Sequence, residues 1–483
     1  MMPTPDAVVV GAGPNGLCAA IELARHGLQV HVVEAADGPG GGVRSAELTL
    51  PGFVHDVCSA IHPLAVASPF LRALELDREG LTWIHPPAAV AHALDDAPPV
   101  LLFPSVAETA AGLDPVDRAA WTGWVEGLIA VWDEVLDEIL RPIRLPRHPG
   151  AALRFARSAL RSGRGLARGR FDGVRAQALL AGISAHSVRP LTAPGSAAVG
   201  VVLGVTGHVA GWPLPRGGAG QIASALVRVL TRLGGTVDLG HRVGSLNELP
   251  PSRARLLDLT PRQILALAAS TLPPGYARAL ARYRYGPGVF KLDWALSEPI
   301  PWRHRATRQA GTVHLGGTLD QLTEAMAAPE RGKVADEPFL ILAQPSLFDE
   351  TRAPGSAHTA WAYCHVPNGW QGDLTELVEG RVERYAPGFR DTVLARAGAG
   401  PRELERRNAN LVGGDIGGGA ATLWQTIFRP VPRWDPYATP VPGLYLCSSS
   451  TPPGGGVHGM CGARAAARAL KQVFGIQPKG WPA

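Results

Sequence analysis

The five cysteines, Cys18, Cys58, Cys364, Cys447 and Cys461, form no C-x-x-C or C-x-x-x-x-C pair. A redox disulfide or a cysteine zinc site needs such spacing, so neither is expected, and no metal site of any kind is predicted. No uninterrupted apolar run is long enough to span a bilayer. A glycine-rich loop begins at residue 11, so no leader sequence is expected before it. These absences predict a cytoplasmic protein whose one possible membrane contact is peripheral. Nucleic-acid motifs and internal repeats are also missing. The net charge of +5, with arginine far outnumbering lysine, suits anionic partners without identifying nucleic acid.

What is present is apolar and long. Of 483 residues 46% are hydrophobic and 18% charged, enough for a large core spread over two or three domains. Ala7 to Val10 reads as a buried parallel strand. Gly11, Gly13, Pro14, Asn15 and Gly16 follow as G-x-G-x-x-G. Gly11 permits the tight turn, Gly13 lets a pyrophosphate approach the backbone, and Gly16 lets the next helix pack on the strand. Leu17 to His26 has helical spacing and Gly27 ends it. Leu28 to Val33 is a second strand, closed by Glu34. The helix N-terminus offers unpaired N–H groups to phosphate. Glu34 suits ribose hydroxyls and would repel a 2′-phosphate.

A second glycine loop, DGPGGGVR, runs from Asp37 to Arg44. It resembles the GG motif of flavoproteins with two dinucleotide-binding domains. Gly41 and Gly42 permit close approach to pyrophosphate and Arg44 neutralises it. FAD is the cofactor this order of motifs predicts, bound tightly and non-covalently.

Residues 68–190 read as mostly helical, with Trp121, Trp124, Val125, Leu128, Trp132, Val135, Leu136 and Ile139 as a core stripe. Arg154, Arg157, Arg161, Arg164 and Arg168 recur at steps of three and four, predicting one basic helical face. That face is either solvated or turned to an anionic membrane. PRGGAGQIASALVRVLTRLGG from Pro215 is a glycine turn and an amphipathic helix. Thr236 to Val243 and Leu256 to Leu259 read as strands, the latter ending at Thr260. Val289–Leu296, Thr312–Leu315, Phe339–Gln344 and His358–His365 read as an antiparallel sheet over a cavity, and Asp373–Tyr385 as a helix. Leu444 to Cys447 is a buried strand, followed by Ser449, the loop Gly454–Gly456, Val457, His458 and a helix from Gly459. Backbone N–H groups of Gly459 and Met460 are expected to point at a flavin pyrimidine.

GAGPNG at 11–16, GPGGGVR at 38–44, PRGGAGQI at 215–222 and GLYLCSSSTPPGGGVHGM at 443–460 stand in order over nearly the whole chain. With these four motifs the chain resembles the phytoene desaturase and carotenoid isomerase group of FAD-dependent oxidoreductases, in the amine-oxidase-like superfamily. It looks closest to the branch named after pyridine nucleotide-disulphide oxidoreductase domain-containing protein 2. The group's terminal motif typically reads G-A-G-T-H-P-G-x-G-I-P-G. Here Ser448, Ser449 and Ser450 precede Thr451, Pro452 replaces the His, and His458 stands where the group has Pro.

The resemblance implies an α/β fold. A Rossmann-like FAD domain would comprise 1–70, 211–275 and 401–483, and an inserted substrate domain of antiparallel sheet plus helices 71–210 and 276–400. It implies that 46–64 pass beside the flavin, where His55, Asp56, Ser59 and His62 could line the cavity, and that Val243 brings a backbone group to the adenine. The implied activity is hydride transfer from a small apolar substrate to flavin N5. Two alternatives share the fold: a non-redox flavin-dependent isomerase of polyenes, and a non-catalytic lipid or prenyl-protein binder. His458 is the candidate base.

Overall fold

The computed structural model describes residues 4–95 and 97–481. A five-stranded parallel sheet has the order Leu444–Leu446, Ala254–Leu257, Ala7–Val10, Val30–Val33, Thr236–Asp238. Ala7 and Val9 face one core, under the helices Pro14–Ala24, Gly220–Arg232 and Met460–Ala469. Val8 and Val10 face another, under Pro261–Ala268 and Pro274–Ala281. Burial on both faces is why this strand is an unbroken apolar run.

The helix Pro14–Ala24 starts at the strand end. Pro14 takes the first turn, where its missing N–H loses no bond. The C-terminal helix Met460–Ala469 crosses it at backbone distance. A Cβ on Gly462 would lie 1.8 Å from the Asn15 carbonyl oxygen, so only glycine permits the crossing.

The second sheet has seven strands in the order Val393–Ala399, Gly288–Leu296, His358–Val366, Leu340–Ala343, Ala310–Leu315, Ala88–Leu94, Ala97–Leu102. All neighbours are antiparallel except Ala310–Leu315 with Ala88–Leu94. Phe290, Leu292, Trp294, Ala360 and Ala362 point to the core that contains Val378 and Val382 of the helix Thr375–Tyr385. The alternate residues Ile341, Trp361 and Tyr363 point the other way, into the core shared with the parallel sheet.

The structure departs from the sequence reading in four places. The stretch 68–190 is not all helix: Ala88–Leu94 and Ala97–Leu102 form a hairpin in the second sheet. Alanine-rich strands carry a helical propensity that sheet pairing overrides. Val393–Ala399 is a further strand the reading omitted. The strand predicted to reach Val243 stops at Asp238. The arginine row does not share one helix. Arg154 and Arg157 lie on Pro149–Ala159, Arg164 and Arg168 on Gly163–Arg170, and Arg161 falls in the break, where the Ser162 side chain caps the second helix.

Candidate functional site

The first loop is fixed by carboxylates. Glu34 accepts Ala12 N–H at 2.7 Å and Ala36 N–H at 2.8 Å, which holds it at the end of the second strand beside the loop. His241 N–H donates to the Glu34 carbonyl at 2.8 Å. Val243 lies two residues further on, half-buried against the core that holds Val10. Asp258, which the sequence reading missed, sits under the loop. Its Oδ2 accepts Gly16 N–H at 2.9 Å and would lie 2.7 Å from a Cβ on Gly13. Burial pushes this carboxyl up to about 7, with the Glu34 charge adding to the shift. The only signal for it was its place at the end of a short strand, before Leu259 and Thr260.

The second loop folds back on the first. Gly40 N–H donates to the Ala12 carbonyl at 2.8 Å. Gly41 has φ +51°, and a Cβ there would lie 3.2 Å from Gly13 Cα. Gly42 accepts Ser59 N–H at 2.9 Å, tying the loop to the following segment. Arg44 donates to the Arg407 carbonyl at 2.7 Å, while its buried Nε has no hydrogen-bond partner among the described residues. Thr260 N–H is held by Asn410 Oδ1 at 2.9 Å, and Asn410 Nδ2 donates to the Asp258 carbonyl at 3.0 Å.

PRGGAGQI turns out to be a clasp. Ala219 N–H donates to Asp56 Oδ1 at 2.7 Å, Gly220 N–H to Ser45 Oγ at 3.0 Å, and Gly217 N–H to Asp349 Oδ2 at 2.8 Å. Fully buried Arg352 joins Asp56 at 2.8 Å to Asp349 at 2.9 Å. Asp56 is therefore a strut beneath the hairpin Ser45–Asp56. His55 stands 3.5 Å from Asp293 and bonds Thr49. Ser59 approaches His62, whose imidazole burial lowers to about 4.

The terminal loop approaches the same place. The Ser449 side chain packs against Gly418, and its carbonyl accepts from Arg429 at 3.0 Å. Gly456, at φ +111°, is exposed, and Val457 is half-buried. Gly459 has φ +68°, and a Cβ on it would lie 2.3 Å from Cys18 Sγ. His458 is buried. Its Nδ1 accepts Met460 N–H at 3.1 Å, and its carbonyl accepts Ser68 Oγ at 2.7 Å. Burial lowers its pKa to about 4. Two expectations change as a result. Met460 N–H is taken by the helix cap instead of pointing at a ligand, and the His458 Nδ1 lone pair is already engaged.

Across from the loops stands a side-chain wall that the sequence reading did not single out. Lys291 is buried and paired with Asp293, with its Nζ 5.8 Å from the Trp361 ring centre. Trp361 and Tyr363 stack at 6.0 Å and 12°, and Tyr363 meets His365 edge-on at 5.7 Å. Both ring nitrogens of His365 and Nε1 of Trp361 are buried without hydrogen-bond partners among the described residues. Cys58 joins wall to loop. Burial raises its thiol pKa, and the Lys291 and Arg44 charges offset part of that rise. A lone lysine inside an apolar strand was the available signal.

These residues fit a flavin dinucleotide. Gly13 and Gly41 let the two loops close on Asp258 and on each other, where a Cβ would collide, Glu34 would stand at the ribose end, and Asn15 Oδ1 and Arg44 Nε are buried without a hydrogen-bond partner among the described residues. In such a seat Gly11, Gly13, Asn15, Gly16, Glu34, Gly41, Gly42 and Arg44 would hold the adenosine pyrophosphate.

Comparison with known proteins agrees. Residues 9–74 match the family model of the NAD(P)-binding Rossmann-like domain. The chain is 27% identical to pyridine nucleotide-disulfide oxidoreductase domain-containing protein 2 of Rattus norvegicus, over 96% of this chain and 93% of that one. It is 28% identical to phytoene dehydrogenase of Streptomyces griseus, over 86% of this chain and 81% of that one. A putrescine oxidase structure superposes with a TM-score of 0.61 at 17% identity, covering 98% of this chain and 99% of that one. Loop order, fold and sequence agree: the chain carries a Rossmann-like dinucleotide-binding domain, is a homologue of the phytoene desaturases and of pyridine nucleotide-disulfide oxidoreductase domain-containing protein 2, and shares the fold of an FAD-dependent amine oxidase.

Proposed function

We propose that this protein is an FAD-dependent dehydrogenase that desaturates a small apolar substrate. The observation that carries this reading is the wall of buried Lys291 and Trp361 and half-buried Tyr363 set against two glycine loops that fit the cofactor. When bound, FAD supplies the hydride acceptor. The chain's own residues do the rest. Glu34 and Arg44 orient the dinucleotide through ribose and pyrophosphate. Trp361 and Tyr363 offer a flat, water-excluding surface on which an apolar chain can lie. Lys291, fixed by Asp293, sets a positive charge at the edge of that surface, where negative charge growing on the acceptor would be stabilised. His458, with Nδ1 held by Met460 N–H, is a helix cap, so the second proton leaves by another group or to solvent.

The test is spectroscopic. The purified protein should be yellow, bleach without oxygen when given its substrate, and recover its colour in air. Small molecules that co-purify, identified by mass spectrometry, supply the substrates to try. Turnover of a polyene isomer with no net flavin reduction would overturn the dehydrogenase reading in favour of an isomerase. Protein isolated without flavin, and unable to take it up, would leave only a binding role.

A further inference from the structure

We propose that the surface built on the helix Pro149–Ala159 docks on an anionic lipid bilayer. The observation is where the exposed apolar side chains fall. Among the described residues thirteen large ones are exposed, and eight of these lie along this helix and at its two ends. Before the helix, Leu145 is 92% and Ile143 61% exposed. Trp434, 82% exposed, joins them, because the Arg144 guanidinium lies 5.2 Å from its ring centre and donates to its carbonyl. Along the helix, Leu153 and Leu160 are exposed, with Arg157 between them at helical steps. Beyond it, Gly195 N–H donates to the Leu160 carbonyl, and a Cβ on Gly195 would lie 3.7 Å from Leu423. Leu423 opens the short helix Leu423–Phe428, none of whose residues is buried. Trp424 and Phe428 pack together on it at 4.3 Å. A monomer rarely keeps so much apolar surface in one place without a use for it.

Charge selects the occupant. Residues 141–171 hold nine arginines and no Asp or Glu. Arg164 and Arg168 meet Asp320, and Arg141 and Arg147 meet Glu138 and Asp137 of the preceding helix. Arg144, Arg154, Arg157, Arg161 and Arg170 meet no carboxylate among the described residues. A second copy presenting this face would set arginine against arginine. A nucleic acid would use the arginines and leave Leu145, Leu153 and Leu160 in water. An anionic bilayer satisfies both sets: headgroups take the guanidinium groups, and the interface takes tryptophan and leucine. No helix among the described residues is long and apolar enough to cross the membrane, so the contact is a surface one. The docking face also reaches the candidate site. Leu423–Phe428 follows the loop whose Gly418 carbonyl accepts Ser450 Oγ and Tyr283 OH, and Arg429 next to it bonds Ser449. An apolar molecule held in the bilayer would thus sit beside the terminal loop.

Vesicle flotation tests this with the full flavin-loaded chain. Vesicles of phosphatidylcholine alone are compared with vesicles containing phosphatidylglycerol, each at low and high salt. Binding is expected to phosphatidylglycerol vesicles at low salt, with loss at high salt. Trp424→Ser with Trp434→Ser should weaken it about tenfold or more, and so should Arg157→Glu with Arg161→Glu. All four positions are on the surface, and retained flavin absorbance shows that the variants are folded. Absence of binding to phosphatidylglycerol vesicles at low salt overturns the proposal. So does binding that both variants retain in full. A wild-type dimer that the tryptophan variant abolishes, without vesicle binding, would assign the face to a second copy.

Discussion

The two sheets solve different problems. The parallel sheet presents backbone to a ligand, and the mixed sheet presents side chains. At the parallel sheet the working parts are glycines whose missing Cβ atoms let the loops close on Asp258 and on each other, as at Gly13 and Gly41, and N–H groups held in place by Glu34 and Asp258. At the mixed sheet they are Lys291, Trp361, Tyr363 and His365, each on a strand whose other face is ordinary core. A backbone site tolerates little change at the glycines and much elsewhere. A side-chain site can be rewritten one residue at a time while the fold persists.

The sharpest test of that contrast is Gly13→Val. The new side chain would start 2.7 Å from Asp258 Oδ2, so the loop must shift out of place to admit it. Near-complete loss of bound flavin is expected, with the far-UV circular dichroism of the folded chain retained. If the variant purifies with full flavin absorbance, the dinucleotide is not seated in these loops.

Next in size is Arg352→Met. Arg352 is fully buried and links Asp56 to Asp349, so its loss leaves two carboxylates facing each other without a counter-charge. Breaking such a pair costs about 3–5 kcal/mol. Denaturant unfolding should show that loss, and flavin should dissociate earlier because the hairpin Ser45–Asp56 supports the second loop. A loss under about 1 kcal/mol would mean that water or a neighbouring base replaces the arginine.

The same contrast explains what the sequence disclosed. The strand Ala7–Val10, its loop, Glu34, the GG loop and the terminal helix were legible because backbone function leaves a local signature: glycines at fixed steps, then an acid. The strands of the second sheet were legible as strands where they alternate, as in His358–Val366. The face that mattered was not, because Lys291, Trp361 and Tyr363 come together only when Gly288–Leu296 and His358–Val366 pair. Asp258 escaped for the same reason: its partner Gly16 is 242 residues away. The arginine row misled because a period of three to four ignores Ser162, an N-cap that splits the helix. His458 was singled out for its position beside the loop, and position carries no information about which ring nitrogen is free.

Asp258→Asn probes the cradle without blocking it. Asparagine can still accept Gly16 N–H. The wild-type carboxyl is shifted up to about 7, so the native state binds this proton more tightly than the unfolded chain does. The sign follows: the group costs nothing below the ordinary carboxylate range, costs more as pH rises through it, and imposes its full penalty above about pH 7. That penalty is about 2–4 kcal/mol for a shift of this size. Asp258→Asn should therefore match the wild type near pH 4 and exceed it in stability at pH 8, with tighter flavin retention there. Identical unfolding curves at both pH values would show that Asp258 is ionised at no cost.

The smallest expected effect belongs to His458→Ala, and it separates a cap from a base. Nδ1 accepts Met460 N–H, so the variant orphans one helix N-terminal donor. Loss of an N-terminal cap costs roughly 1 kcal/mol. Burial lowers the imidazole pKa to about 4, so the native state binds this proton less readily than the unfolded chain. The wild type accordingly loses stability as pH falls from the ordinary histidine range toward 4, and the alanine variant lacks that part of the slope. The wild type should be the more stable near neutrality, with the difference shrinking and then reversing as pH falls toward 4. In the flavin-loaded fraction the rate of reduction by substrate should change less than about threefold, whereas removing a general base lowers it by roughly a hundredfold or more. A hundredfold loss with stability unchanged would return His458 to the chemistry. It would also mean that the ring turns away from Met460 N–H when substrate binds, freeing Nδ1 to take the proton.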